Sequence, residues 1–195
     1  MKIDEATFGP DHPNVAIGVN NLGMVLKALG DPGAAREMLE RALKIDEAAF
    51  GPDHPNVAID VNNLGSVLQD LGDLPAAREM FERALKIDEA AFGPDHPNVA
   101  TLVNNLGMVL KALGDPGAAR EMFERALKIR QKVFGEEHPD VAQSLWWLGV
   151  VSQDEGNLEE ARIYLERALE MYKKFLPPDH PNIKTVQENL DSLEG

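Results

Sequence analysis

Five histidines are the residues of this chain with the clearest potential for metal chemistry. They are His12, His54, His96, His138 and His180, and each lies 42 residues from the next and precedes a proline. A zinc site needs its ligands to converge on one point, with bonds of about 2.0–2.1 Å. A strict 42-residue step instead places one histidine in each copy of a repeat. We therefore expect the histidines to have structural roles in loops or helix caps, and the sequence predicts neither a metal site nor a cofactor.

Other catalytic signatures are missing from the sequence. No glycine-rich loop ends in Gly-Lys-Ser or Gly-Lys-Thr, so the Gly-Asp-Pro turns are not phosphate loops. The Asp-His-Pro segments lead into predicted helices, and nothing supports a catalytic pair of histidine and carboxylate. The chain has no cysteine, which excludes disulfides and thiolate zinc sites and is compatible with a reducing, cytoplasmic location. The sequence thus predicts a protein that is not an enzyme.

The net charge of −14 at pH 7 restricts the class of partner. Binding of nucleic-acid phosphates requires clustered lysine and arginine, and no apolar run approaches the ~18–20 residues that cross a bilayer. We therefore expect neither nucleic acid nor a membrane as partner, whereas neutral or basic proteins would be attracted over long range. The negative charge is expected mainly on solvated second helices and linkers, for example at Glu37, Glu40, Asp46 and Glu47.

An internal repeat organises the whole sequence. The motif Phe-Gly-Pro-Asp-His-Pro begins at Phe8, Phe50 and Phe92, returns with changes at Phe134 and is degraded at Leu176. Residues 8–49 match residues 50–91 at 35 of 42 positions, and they match residues 92–133 equally well. Each unit contains two apolar stripes with the spacing of a helix, separated by turn residues. The pattern predicts an array of helix pairs.

Turn residues and small residues indicate where these helices end and where they pack. Gly30 suits the left-handed position after the first helix, Asp31 suits the N-cap of the second, and Pro32 suits its first turn. Glycine inside a helix costs about 1 kcal/mol relative to alanine. Glycines nevertheless recur within the first helices, at Gly23, Gly65, Gly107 and Gly149. We therefore expect a close helix contact at each of them.

The repeat predicts how the chain is divided. We expect a single array with a partial helix at 1–7, repeats at 8–49, 50–91, 92–133 and 134–175, and a polar capping helix within 176–195. Because the chain starts in the middle of a repeat and its repeats are nearly identical, we expect a segment of a longer array or an engineered one.

The apolar face of Val15, Val19 and Leu22 is predicted to be partly bare. That face predicts a weak homodimer through the N-terminal end.

The repeat resembles the tetratricopeptide framework. The run Leu22-Gly23 followed by Ala35, Leu39 and Ala42 carries the resemblance. The 42-residue unit with its Asn-Asn-Leu-Gly segment is similar to the long repeats of kinesin light chain and of bacterial signalling proteins. The resemblance implies an all-α fold, a right-handed superhelical solenoid of antiparallel helix pairs with about four and a half repeats. It also implies a protein–protein interaction scaffold that binds a peptide or protein segment in a concave groove.

By the same resemblance, the first helix of each repeat lines the groove, and certain register positions contact the ligand. Those positions hold Asn20, Asn21, Met24 and Lys27 in the first repeat, Asn62, Asn63, Ser66 and Gln69 in the second, Asn104, Asn105, Met108 and Lys111 in the third, and Trp146, Trp147 and Gln153 in the fourth. An amide side chain both donates and accepts, as a peptide backbone does. One asparagine of each pair is expected to face the ligand; the alternative is that the amides bridge neighbouring helices.

Trp146 and Trp147 stand where the other three repeats have Asn-Asn. Tryptophan is enriched among the residues that dominate binding energies, although either ring could instead fill space between repeats. The tryptophan and asparagine pairs favour a binding function. The near-identity of the repeats favours the alternative, a structural or self-associating solenoid segment with no specific ligand.

Overall fold

The structure of this protein is a computed structural model that describes residues 7–193. Within that range the chain forms nine α-helices and no strand, which confirms the expected all-α repeat fold. The helices are α1 (Pro13–Ala28), α2 (Pro32–Phe50), α3 (Pro55–Asp70), α4 (Leu74–Phe92), α5 (Pro97–Ala112), α6 (Pro116–Phe134), α7 (Pro139–Asp154), α8 (Leu158–Phe175) and α9 (Pro181–Ser192). Apart from Thr7, the partial helix expected at 1–7 lies outside the described residues.

The helices form two compact units, residues 1–94 and 95–195. The first unit contains α1 to α4, and each of these helices packs against the next one along the chain. The second unit contains α5 to α9, which pack in the same consecutive manner. Four helices, α1, α3, α5 and α7, are the first helices of their repeats, and the final helix α9 occupies a first-helix position.

Side-chain caps fix the helix starts. Each of the five histidines precedes a first-helix position, and its Nδ1 accepts the backbone N–H two residues further on at 3.1–3.2 Å. The histidines therefore have the capping role expected of them. Asp31 caps α2 by accepting the N–H of Ala34 at 2.9 Å, and Pro32 is the first residue of that helix. Gly30 just before it has a φ of +82°, the left-handed conformation that ends α1.

The glycines inside the first helices allow close contact with the second helices. A Cβ atom added at Gly65 would lie 3.0 Å from the ring of Phe81, and one added at Gly107 would lie 2.8 Å from the ring of Phe123. The distance at Gly107 is shorter than real Cβ atoms show, and the distance at Gly65 is tighter than nine in ten real Cβ contacts. The structure confirms that these glycines are needed for packing rather than for a turn.

The N-terminal face differs from the expectation. Val15 and Val19 have no exposed surface, because they form one cluster with Ala42 and Ile45 of α2, and Met38 packs against it. The prediction of a bare apolar face is therefore wrong for these two valines, whereas Leu22 is half-buried. The homodimer stays a prediction.

The C-terminal helix α9 has one apolar side. Its Ile183, Val186 and Leu190 are buried in a cluster with residues of α7 and α8. Lys184 and Gln187 are exposed. The helix is therefore amphipathic, and its role as a cap stays a prediction.

Candidate functional site

The predicted contact positions of α1 and α3 lie next to one another in the first unit. The Nζ atom of Lys27 donates to the Oγ of Ser66 at 2.6 Å and lies 3.4 Å from the carboxylate of Asp70. Met24 and Gln69 are half-buried on the same two helices. Lys27, Ser66 and Asp70 form one polar cluster, in which the charge of Lys27 is already partnered by Asp70.

Hydrogen bonds join the asparagine pairs of α1 and α3. The buried Asn20 donates from its Nδ2 to the carboxylate of Asp60, and its Oδ1 accepts from the Nδ2 of Asn63 at 2.9 Å. The Nδ2 of Asn62 in turn donates to the Oδ1 of Asn63 at 3.3 Å. Asn20 and Asn63 therefore bridge two neighbouring first helices, as the alternative interpretation held. Asn21 is exposed.

The second unit repeats part of this arrangement on α5 and α7. Lys111 lies 3.0 Å from Asp154, as Lys27 does from Asp70 in the first unit. Asn104 is buried, and its Nδ2 lies 3.6 Å from the Sδ of Met108. Its Oδ1 has no hydrogen-bond partner among the described residues. Asn105 is half-buried beside it on α5.

The two tryptophans belong to an aromatic row in the second unit. The rings of Trp146 and Trp147 stack with their centroids 4.8 Å apart, and Trp147 also stacks on Phe123 of α6 at 5.6 Å. The Nε1 of Trp146 donates to the Oδ1 of Asn189 on α9 at 2.6 Å. Both rings are half-buried. Each ring therefore packs against neighbouring residues and still keeps some surface available for contact.

The last predicted contact residue, Gln153, lies near the C-terminal end of α7. Its Nε2 donates to the Oγ of Ser192 on α9 at 3.1 Å.

Two aspartates that the sequence analysis did not select lie side by side in the first unit. Asp46 on α2 and Asp60 on α3 are only 4% and 3% exposed. The expectation that Asp46 lies on a solvated face is wrong, because α2 turns this side chain toward α3. Burial raises the pKa of Asp60 to about 7, the charge of Asp46 adds to the rise, and the hydrogen bond from Asn20 opposes it. Burial also raises the pKa of Asp46.

The sequence held a signal for Asp60. The equivalent positions of the other repeats are Gly18, Leu102 and Ser144, so Asp60 is the one charge at this register position. This position is buried in the second, third and fourth repeats, at Asp60, Leu102 and Ser144. Asp60 differs from the uncharged residues at this position of the other repeats, and a carboxyl at a buried position is the signal that could have identified the site.

The two aspartates line an open cavity of about 220 Å³ in the first unit. Its lining residues are Ile17, Asn20, Asn21, Asp46, Asn56, Ile59 and Asp60. We call this cavity the acidic slot. Two of the predicted contact residues, Asn20 and Asn21, are therefore part of it.

A charged cluster in the second unit explains why Ser152 replaces the leucine of the other repeats. Arg120 on α6 donates to the Oγ of Ser152 at 2.9 Å, and to the carboxylates of Glu155 and Glu160 at 2.6 and 2.7 Å. The hydroxyl of Ser152 donates to Glu160 at 2.9 Å. The hydrogen bond from Arg120 holds the pKa of Glu160 below its ordinary value. These groups satisfy one another, so the cluster stabilises the contact of α6 with α7 and α8.

None of the described helices combines the length and the hydrophobicity needed to span a bilayer. In the same residues, no group of three or more histidine, aspartate or glutamate side chains is arranged to hold a metal ion.

Comparison with known proteins identifies the family and the fold. A family model described as tetratricopeptide repeat matches residues 1–48, 18–89, 57–132, 98–174 and 140–190. The crystal structure of BtubC (BKLC) from P. vanneervenii is similar with a TM-score of 0.81 and 23% identity, over 93% of this chain and 72% of that one. The nearly identical TPR-like repeats of a Podosopora anserina protein described as a kinesin light chain give a TM-score of 0.78 and 25% identity, over 93% and 86%. No curated protein matches the sequence.

Proposed function

Because the chain belongs to the tetratricopeptide repeat family, whose members are generally protein-interaction scaffolds, we propose that it binds an extended segment of another protein on its first helices. The observation that carries the proposal is the row of polar side chains that neighbouring first helices share, from Lys27 on α1 to Ser66 and Asp70 on α3. Such a row offers donors and acceptors that can pair with a peptide main chain.

The proposed function involves no catalysis. The chain has no cysteine, and we place it in the cytoplasm.

The aromatic row gives the second unit a different means of binding. The half-buried rings of Trp146 and Trp147 are held in place by Phe123 and Asn189. Rigid, partly exposed aromatic rings can anchor an apolar side chain of a ligand, since little side-chain entropy is lost on binding. We propose that an apolar anchor of the partner segment packs here.

The alternative function, a structural segment with no specific ligand, is favoured by one observation. Several of the proposed contact residues already have partners within the chain, including Lys27, Asn63 and Lys111. A ligand would have to compete with these contacts for the same polar groups.

A peptide array would separate the two functions. Peptides of varied sequence would be probed with the purified protein, and each would be paired with a scrambled peptide of the same composition as a charge-matched control. We expect selective binding that Met24→Glu or Trp147→Ala weakens and that Glu79→Gln, an exposed change on α4, leaves intact. Equal binding of native and scrambled peptides, with helical circular dichroism unchanged, would support the structural alternative.

A further inference from the structure

The acidic slot holds two buried carboxyl oxygens that have no hydrogen-bond partner among the described residues while both groups are ionised. They are the Oδ2 of Asp60 and the Oδ1 of Asp46. Two ionised carboxylates can only accept hydrogen bonds, so neither satisfies the other. When Asp60 keeps its proton, the two side chains can instead form a hydrogen bond with each other. Burying an unpaired charge is costly. The slot is therefore complete only when a proton or a positively charged group sits between the two aspartates.

The exposed lining of the slot combines two isoleucines with the polar Asn21. Ile17 of α1 and Ile59 of α3 are 57% and 55% exposed. A site with exposed aliphatic walls and carboxylates at its base suits a long side chain that buries its methylene groups and carries a positive charge at the tip. Lysine and arginine are the two side chains with that shape.

The corresponding place in the second unit accommodates a guanidinium. Arg130 and Ser144 lie 84 residues after Asp46 and Asp60, at the same repeat positions. The guanidinium of Arg130 is buried and donates from its Nη1 to the Oγ of Ser144 at 2.8 Å and to the main-chain oxygen of Asp140 at 3.0 Å. The second unit thus fills this place with a guanidinium of its own, whereas the first unit has two carboxyl groups there.

We propose that the acidic slot receives an arginine side chain of the bound protein segment, whose guanidinium pairs with Asp60 and Asp46 and whose methylene groups pack between Ile17 and Ile59. This inference rests on the proposed function and specifies a basic residue in the partner. Arginine is preferred to lysine because its planar guanidinium is more weakly hydrated and can pair with two carboxylates at once. The net charge of −14 attracts such a segment over long range.

Protons compete with the arginine for the slot. The charged and polar groups that act on the pair are Asn20 from α1, Asp46 and Glu47 from α2, and His54 at the start of α3. Because burial raises the pKa of Asp60 to about 7, the carboxyl is mostly protonated at pH 5.5 and mostly ionised at pH 8. Only the ionised form attracts a guanidinium, so binding should be tighter at pH 8.

A titration with three small probes tests the slot without knowledge of the partner. N-acetylarginine amide, N-acetyllysine amide and N-acetylcitrulline amide would each be added to ¹⁵N-labelled protein at pH 8. Citrulline has nearly the shape of arginine but no charge. We expect shifts of the side-chain amide signals of Asn20 and Asn21, with arginine binding tightest and citrulline at least about tenfold weaker. Equal binding of arginine and citrulline, or tighter binding of lysine, would overturn the proposal.

Three variants locate the effect. Asp60→Asn keeps the oxygen that accepts from Asn20 but removes the charge, and Asp46→Arg supplies an internal guanidinium as Arg130 does. We expect each to weaken the arginine probe at least about tenfold, while Glu79→Gln, which removes one charge from the exposed face of α4, leaves binding unchanged. Amide spectra of each variant would show that it is folded. Unchanged affinity in a folded Asp60→Asn variant would refute the slot.

The slot proposal and the proposed scaffold function can fail independently of each other. In one outcome, the peptide array finds no selective ligand, while the arginine probe binds the parent protein and binds the Asp60→Asn variant more weakly. In that case the slot proposal stands and the scaffold function fails. If selective peptides bind without an arginine, and the probe has no effect on Asn20, the scaffold function stands and the slot proposal fails.

Discussion

Asp60 occupies a position that the other repeats give to glycine, leucine or serine. Because it is buried beside Asp46, its pKa is raised from the ordinary value of 3.8 to about 7. Between these two values the folded chain holds a proton that the unfolded chain has lost. Folding therefore takes up a proton in this window, and this residue makes the fold less stable as the pH rises from about 4 to about 7.

We predict that Asp60→Asn removes most of this pH dependence and makes the protein more stable at pH 8. A pKa change of one unit corresponds to about 1.4 kcal/mol, so the full shift amounts to as much as about 4 kcal/mol. Urea unfolding at pH 4.5 and pH 8 would measure the difference between the variant and the parent. Glu79→Gln serves as the control for the lost charge. If the free energy of unfolding changed equally between the two pH values in the parent and in the variant, the account would be contradicted.

The neighbouring amides allow a second test at this scale. Asn63→Ala removes the donor to the Oδ1 of Asn20 at 2.9 Å and leaves that buried acceptor unsatisfied. We expect a loss of about 1–3 kcal/mol in the free energy of unfolding. Asn21→Ala, an exposed change on α1, should leave stability nearly unchanged and weaken a peptide ligand instead. Equal denaturation midpoints for the two variants would show that the amide bridge contributes little.

At the scale of the helices, close contact between first and second helices determines which residues the chain tolerates. We predict that Gly65→Leu destabilises the fold strongly, by about 1–3 kcal/mol or more, because even a Cβ atom there would lie 3.0 Å from the Phe81 ring. Gly33→Ala, whose added Cβ would meet nothing nearer than 3.7 Å, should be mild or stabilising. Chemical denaturation of both variants would decide, since equal midpoints would show that the close contact is unimportant.

The sequence was sufficient to predict the helices because each one is specified locally. Gly30, Asp31 and Pro32 end one helix and begin the next, and the structure gives each the role that its residue type indicated. The pairing of polar side chains was harder to predict. Whether Asn20 turns inward, or Asp46 toward α3, depends on the rotation of one helix against its neighbour, which a periodic pattern does not specify.

At the scale of the whole molecule, nearly identical repeats carry different sites because a few positions were changed. Asp46 with Asp60 in one unit and Arg130 with Ser144 in the other occupy the same repeat positions, yet one place has two carboxyl groups and the other has a guanidinium. Trp146 and Trp147 likewise replace an asparagine pair on α7. The repeats therefore provide a common framework, and the substitutions at register positions give each unit its own chemistry.

The most direct test of the account maps a peptide selected on the array onto the ¹⁵N-labelled protein. We predict that the largest chemical-shift changes occur on first helices, at residues such as Asn21 and Met24 of α1 or Trp147 and Gln153 of α7. Changes confined to the exposed faces of the second helices α2, α4, α6 and α8 would contradict the proposal that the first helices bind the partner segment.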